Sequence, residues 1–174
     1  MKLRELAVMA VVSFGTSSFC TSSALAIEEG EQAPDFTLPA MEEGQPEISL
    51  AALRGKTVYV DFWASWCAPC LRSMPLINEL YGKYQDRGFE VVAINVDDPI
   101  EDGQDFLIDR DFDYLIAADT PNEVLTQYGV VGMPTSFLID PEGTVRLVHM
   151  GFKANDIEII EQEIVTLLDE VNPQ

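Results

Sequence analysis

Two periods of apolar residues alternate along this chain. Residues 57–63, TVYVDFW, are branched or aromatic at nearly every position, whereas from Leu71 onward the apolar residues recur at Met74, Ile77, Leu80, Tyr81 and Tyr84. The first pattern predicts a buried strand and the second a helix, because side chains alternate at period 2 in a strand and share a face every 3.6 residues in a helix. Pro75 falls inside that helix and is expected to kink it, and Gly88 marks its end. Residues 89–96 are almost wholly apolar, as in a parallel strand covered on both faces, so the two strands and their helix predict a right-handed βαβ unit.

The rest of the chain continues the alternation more weakly. Phe106, Leu107 and Ile108 predict a short helix, residues 114–117 a short strand, and residues 121–128 a helix that opens on Pro121 and closes at Gly129. Residues 136–139 and 144–150 read as strands joined by the turn Asp140-Pro141-Glu142-Gly143. Ile157, Ile160, Ile164, Leu167 and Leu168 mark one face of a terminal amphipathic helix. Residues 48–53 read as a short strand or turn before the breaker Gly55, and the polar residues 27–32 are expected to fray.

Two cysteines, Cys67 and Cys70, stand where the first strand gives way to the first helix. Unpaired N–H groups and the positive end of the helix dipole stabilise a thiolate there, which makes Cys67 the better nucleophile. Three residues advance a helix by about one turn, and the resulting Cα separation of about 5 Å suits a disulfide that opens and closes without refolding. Pro69 suits the first turn, where its missing N–H costs nothing. A structural bridge is the plainer alternative, yet a loop of two residues removes little unfolded-state entropy. A zinc site would need further ligands, and the soft candidates, Cys20 and His149, are remote in sequence.

The segments VDFWASWCAPC (60–70) and GMPTSFLIDPEG (132–143) resemble the active-site and cis-proline segments of thioredoxins. Most similar is the exported thioredoxin-like group of the TlpA/ResA/CcmG (DsbE) type. The resemblance implies an α/β thioredoxin fold: a central mixed sheet with helices on both faces, an N-terminal extension and a central insertion at about 97–120. It implies a thiol-disulfide oxidoreductase acting mainly as a disulfide reductase, with Cys67, Cys70 and Asp61 catalytic. Trp66, Met133 and Pro134 are then the substrate-binding residues, with a cis peptide bond before Pro134. No cofactor or metal is expected beyond the redox-active Cys67–Cys70 disulfide itself. The expected partners are disulfide-containing exported proteins, among them apocytochrome c during cytochrome c maturation, and a membrane thiol that donates electrons to a monomer.

Asp61 interrupts an apolar strand, and a buried carboxylate is costly unless paired, so desolvation should raise its pKa. By resemblance it lies beneath the second cysteine and relays its proton, although several relatives of the group carry asparagine there. The opening APDFTL (33–38) also resembles that of peroxiredoxins, which makes a peroxidase the enzymatic alternative. Peroxiredoxins place a threonine three residues before the reactive cysteine, where this chain has Ala64. A non-catalytic binding or chaperone module is the remaining alternative, and the presence of both cysteines argues against it. Ala68-Pro69 places no cation between the sulfurs, unlike oxidases with a histidine there, which favours reduction.

Lys2 and Arg4, an apolar run over 6–14 and Ala24-Leu25-Ala26 have the form of a secretory signal peptide. The run is shorter than the roughly 20 residues a membrane span needs. Residues 1–26 are expected to be removed, leaving one soluble, periplasmic or otherwise exported domain over 27–174. Phe19 before Cys20 departs from lipoprotein signals, and cleavage leaves Cys67 and Cys70 as the only cysteines. With 30 Asp and Glu against 10 Lys and Arg, the chain carries −20, and loss of Lys2, Arg4 and Glu5 makes this −21. Such acidity argues against nucleic acid and anionic membrane surfaces and favours basic or neutral partners, although solubility alone is its plainer reading. The acids of 101–113 lack calcium-loop spacing and read as a solvated face.

Overall fold

A computed structural model describes residues 26–171; the predicted signal peptide up to Leu25 and Cys20 lie outside the described residues. Chain order is β1 (Thr37–Leu38), β2 (Ile48–Ser49), β3 (Thr57–Trp63), α1 (Ala68–Tyr84), β4 (Phe89–Asn95), α2 (Ile100–Leu107), β5 (Leu115–Ala118), α3 (Glu123–Gln127), β6 (Thr135–Ile139), β7 (Val145–Met150) and α4 (Asp156–Val171). β1 and β2 form a small antiparallel pair, and the main sheet has the order β5-β4-β3-β6-β7. β3 runs parallel to β4, and β4 to β5, whereas β6 is antiparallel to both β3 and β7, so the sheet is mixed.

All seven residues of β3 and of β4 are buried, as their largely apolar runs predict, and Asp61 and Glu90 are buried with them. Val58, Val60 and Phe62 alternate onto one face, where Phe62 meets Tyr128 and Phe137 in an aromatic cluster that Phe36 extends. Tyr59, Asp61 and Trp63 fall on the other face. There α1 is tied to α4 by the Tyr84 hydroxyl, which donates to Glu161 at 2.6 Å, and the turn after α1 by Arg87 with Asp169 at 2.6 Å. Gly88, at φ 93°, turns the chain from α1 back into β4 in a conformation that favours glycine.

Two expectations need correction. Residues 27–32 are not frayed: Gly30 N–H donates to the Val145 carbonyl at 2.8 Å, Val145 N–H to that of Glu31 at 2.9 Å, and Ala33 N–H to that of Gly143 at 2.9 Å. Polar side chains therefore conceal a segment held by its backbone, which covers the outer edge of β7. The helix expected from Pro121 begins at Glu123, after Asn122 at φ 69°, with Asp119 accepting from the N–H groups of Val124 and Leu125. Pro121 lies outside it, behind a cis bond. As expected, α1 opens at Ala68 with Cys67 as its N-cap and Pro69 in its first turn, and Pro75 lies inside it.

Candidate active site

β3 ends inside the molecule, and the chain crosses Ala64-Ser65-Trp66 before α1 begins. Cys67 is the N-cap of α1: its Sγ accepts from the N–H of Cys70 at 3.3 Å, its carbonyl accepts from Leu71 at 3.1 Å, and its own N–H donates to Ala64 at 3.0 Å. A sulfur thus occupies the place where a helix usually accepts an oxygen cap. Cys67 and Cys70 are disulfide-bonded with Cα atoms 5.3 Å apart. Cys70 is sealed in the core and Cys67 retains a sliver of surface, while neighbouring Trp66 is 68% exposed.

The structure brings the predicted residues Met133 and Pro134, just before β6, to the same end of the sheet, where Thr135 pairs with Phe62. Met133–Pro134 is cis, Thr135 Oγ1 donates to the Gly132 carbonyl at 2.7 Å, and Gly151 N–H donates to the Pro134 carbonyl at 2.8 Å. Val131 and Met150 are exposed apolar side chains beside this loop, the first before the cis bond and the second opposite Thr135 in the β6–β7 register. The backbone of 132–134 is therefore fixed from both sides and flanked by apolar surface.

Asp61 lies buried on β3, opposite Ser136 on β6. The Ser136 hydroxyl donates to its Oδ1 at 2.7 Å. Burial pushes the Asp61 carboxyl from 3.8 to about 7, and the Ser136 hydrogen bond opposes only part of that rise. A carboxyl so placed exchanges its proton near neutral pH.

Sequence reasoning missed a second buried carboxylate, Asp97. It accepts from the N–H of Ser65 at 2.9 Å, from the Ser65 hydroxyl at 2.9 Å and from the Asn95 amide at 2.7 Å, and its own N–H donates back to Asn95 at 3.1 Å. The cysteine loop is clamped to the end of β4 through Ser65, two residues before Cys67. α2 closes over this clamp: a Cβ at Gly103 would stand 2.6 Å from the Asn95 amide nitrogen, and Phe106 packs its ring 5.5 Å from that of Trp63. The signal was present as Asn95-Val96-Asp97, polar residues ending an apolar strand, but their partners are remote in sequence.

His149 is not near the cysteines in sequence or register; its Nε2 lies 3.2 Å from Asp156 at the start of α4. Among the described residues no group of three or more His, Cys, Asp or Glu is arranged to hold a metal ion. A groove of about 1050 Å³ opens between the β1–β2 segment and α2–β5, and neither cysteine lines it. The chemistry therefore belongs to the disulfide end of the sheet.

A bridge closing a two-residue loop is a weak staple, and at a helix N-terminus its sulfurs are poised for exchange. On this sheet, such a pair defines a thioredoxin-fold thiol-disulfide oxidoreductase. The chain belongs to the AhpC/TSA family, which it matches over residues 30–148. It is 42% identical to the thiol-disulfide oxidoreductase ResA of Geobacillus thermodenitrificans over 126 residues, 72% of this chain and 71% of that protein. With ResA of Halalkalibacterium halodurans it shares 34% identity over 176 residues, 100% of this chain and 95% of that one. A solved thiol:disulfide interchange protein DsbE of Chlorobium tepidum superposes with TM-score 0.78 at 43% identity, covering 82% of this chain and 99% of that chain. These relatives bear out the TlpA/ResA/CcmG resemblance and the enzyme class.

Proposed function

We propose that this oxidoreductase is an exported disulfide reductase in which Cys67 attacks, Cys70 resolves and Asp61 takes the proton of Cys70. In the reduced protein the Cys67 thiolate attacks one sulfur of a substrate disulfide, and the other sulfur leaves as a thiolate and is protonated by water. Cys70 then passes its S–H proton to Asp61 and attacks Cys67, which forms the Cys67–Cys70 disulfide and releases the second substrate thiolate. The substrate gains two electrons and the protein loses two. A thiol carrier in the membrane must return them, because an oxidising compartment does not.

The observation that carries this reading is Cys67 as a sulfur N-cap with no cation in the intervening Ala68-Pro69: the thiolate is favoured by the helix, but not so strongly that the protein becomes an oxidant. Trp66, Met133 and Pro134, rimmed by exposed Val131 and Met150, fit an extended substrate segment with apolar flanks. The acidic chain favours a basic or neutral one. By family resemblance the most specific substrate is the haem-binding cysteine pair of apocytochrome c. Among the described residues no helix is long and apolar enough to cross a membrane, and the leader-like residues 1–26 support export of a chain that begins at Ile27.

Trapping with Cys70→Ala in cells tests the substrate, since it arrests the mixed disulfide on Cys67. Apocytochrome c among the trapped proteins, and loss of c-type cytochromes in a deletion strain that added small thiols restore, are the expected outcomes. Normal cytochromes in that strain, with other exported thiol proteins accumulating oxidised, would remove apocytochrome c and leave a general reductase. Intact-mass measurement of exported protein tests the leader: retention of residues 1–26 or a lipid on Cys20 overturns it.

A further inference from the structure

Asp61 is sealed in the core, so a proton accepted there needs a way out. Each element packed around it offers a defined set of groups. Its own strand contributes Tyr59, β4 presents the untitratable Ala93 opposite it, β6 contributes Ser136, and α1 carries the cysteine pair. Tyr114, just before β5, and Asp156 of α4 complete the set, since both lie close enough for their charges to be felt within this pocket. Burial, and then the charge of Asp61, push both Tyr59 and Tyr114 far above an ordinary phenol, so neither gives up a proton at neutral pH. The Ser136 hydroxyl is the one described hydrogen-bond partner of the Asp61 side chain.

On the far side of Ser136 stands His149. The two are opposite each other in the β6–β7 register, so their side chains share a face with Cβ atoms about 4.5–5.5 Å apart. His149 Nε2 lies 3.2 Å from Asp156 Oδ2, which also accepts from the N–H of Lys153 at 2.7 Å. A carboxylate partner selects the tautomer with hydrogen on Nε2 and leaves Nδ1 as an acceptor. The His149 and Asp156 side chains retain 17% and 19% of their surface, whereas Asp61 has almost none. Hydroxyl, imidazole and carboxylate thus step outward from the core to the solvent edge of β7.

We propose that His149 and Asp156 form the solvent end of a proton path that starts at Asp61 and passes through the Ser136 hydroxyl. The inference rests on the role of Asp61 given above. Protonated Asp61 donates to Ser136 Oγ, the hydroxyl turns its own hydrogen toward His149 Nδ1 by rotation or through one bridging water, and the imidazolium formed is stabilised by Asp156. The Nε2 proton then passes to water, which restores the neutral ring. No electrons move along the path. His149 and Asp156 touch neither sulfur and act through Asp61 as positioning residues.

The test is single-turnover oxidation of the reduced full chain by a disulfide-bridged peptide, followed by fluorescence between pH 5.5 and 8.5. His149→Ala should slow the step that closes the Cys67–Cys70 disulfide about fivefold, and added imidazole should restore it. His149→Gln, which keeps a donor toward Asp156 but cannot carry a proton, should be equally slow with an unchanged urea midpoint. Asp61→Asn should be slower still and indifferent to imidazole, and combining it with His149→Ala should add nothing. Wild-type rates in both His149 variants, or a loss that imidazole does not restore and that adds to Asp61→Asn, overturn the path while Asp61 keeps its role. A wild-type rate and pH profile in Asp61→Asn overturn that role, and the path with it.

Discussion

Two buried aspartates, Asp61 within β3 and Asp97 just after β4, sit in different surroundings. Asp97 has three donors on its carboxylate, two of them from Ser65, and these tie the loop before Cys67 to the end of β4. Asp61 has one described donor, Ser136, and its carboxyl rises to about 7. Side-chain chemistry is the same in both, so the number of hydrogen bonds and the loss of water decide the outcome. Three donors let a buried carboxylate hold a loop in place, whereas the single donor of Asp61 opposes only part of the rise that burial causes.

The contrast breaks most visibly at Asp97. Asp97→Ala leaves the Ser65 N–H and the buried Asn95 amide without their acceptor, and should destabilise the fold by about 3–5 kcal/mol. Urea unfolding measures this, and a loss under about 1 kcal/mol would remove the clamp.

Asp61→Asn should act with the opposite sign. Its folded pKa lies above the unfolded value, so between about pH 4 and 7 the folded state holds the proton more tightly, and stability declines as pH rises through that window. Replacing the carboxyl with an amide relieves that loss. The variant should gain roughly 2–4 kcal/mol over wild type at pH 8 and nothing near pH 4, while disulfide reduction slows. Urea midpoints that shift equally at both pH values would exclude a raised carboxyl as the cause.

Gly103→Ala sharpens the comparison from the side of α2. The new Cβ meets the Asn95 amide at 2.6 Å and should cost about 1–3 kcal/mol by displacing a clamp partner, while the ionisation of Asp61 stays in place. Carbon-13 NMR of the Asp61 carboxyl reads the second half, and a shifted titration would show that the two carboxylates are coupled. The smallest effect belongs to Ser136→Ala. Its hydroxyl favours the charged form of Asp61, so its removal should raise that titration further. A downward movement would assign the hydroxyl the wrong direction.

Much of this architecture was legible as pattern. The burial of β3 and of β4 follows from largely apolar runs, and Gly88 ends the α1 region where a left-handed residue was needed. The cysteine pair and the cis-proline segment were legible as motifs, and Asp61 as a charge out of place in an apolar strand. Less visible were contacts whose partners stand far apart along the chain. Ser65 meets Asp97 across 32 residues and Ser136 meets Asp61 across 75, and neither serine differs in sequence from a solvated one. Residues 27–32 failed for a related reason, because their anchoring is by backbone, which side-chain polarity does not report.

By itself, the amino-acid order determined which segments are buried, where strand yields to helix, and that two sulfurs stand one turn apart at that junction. These are local properties, set by side-chain period, turn residues and covalent spacing. Only the tertiary structure decided which donors each buried carboxylate meets, which loop the Asn95–Asp97 pair holds, and that Ser136 and His149 face each other across the edge of the sheet. Those outcomes depend on strand register and on exclusion of water, which arise when distant segments pair and cannot be read from either segment alone.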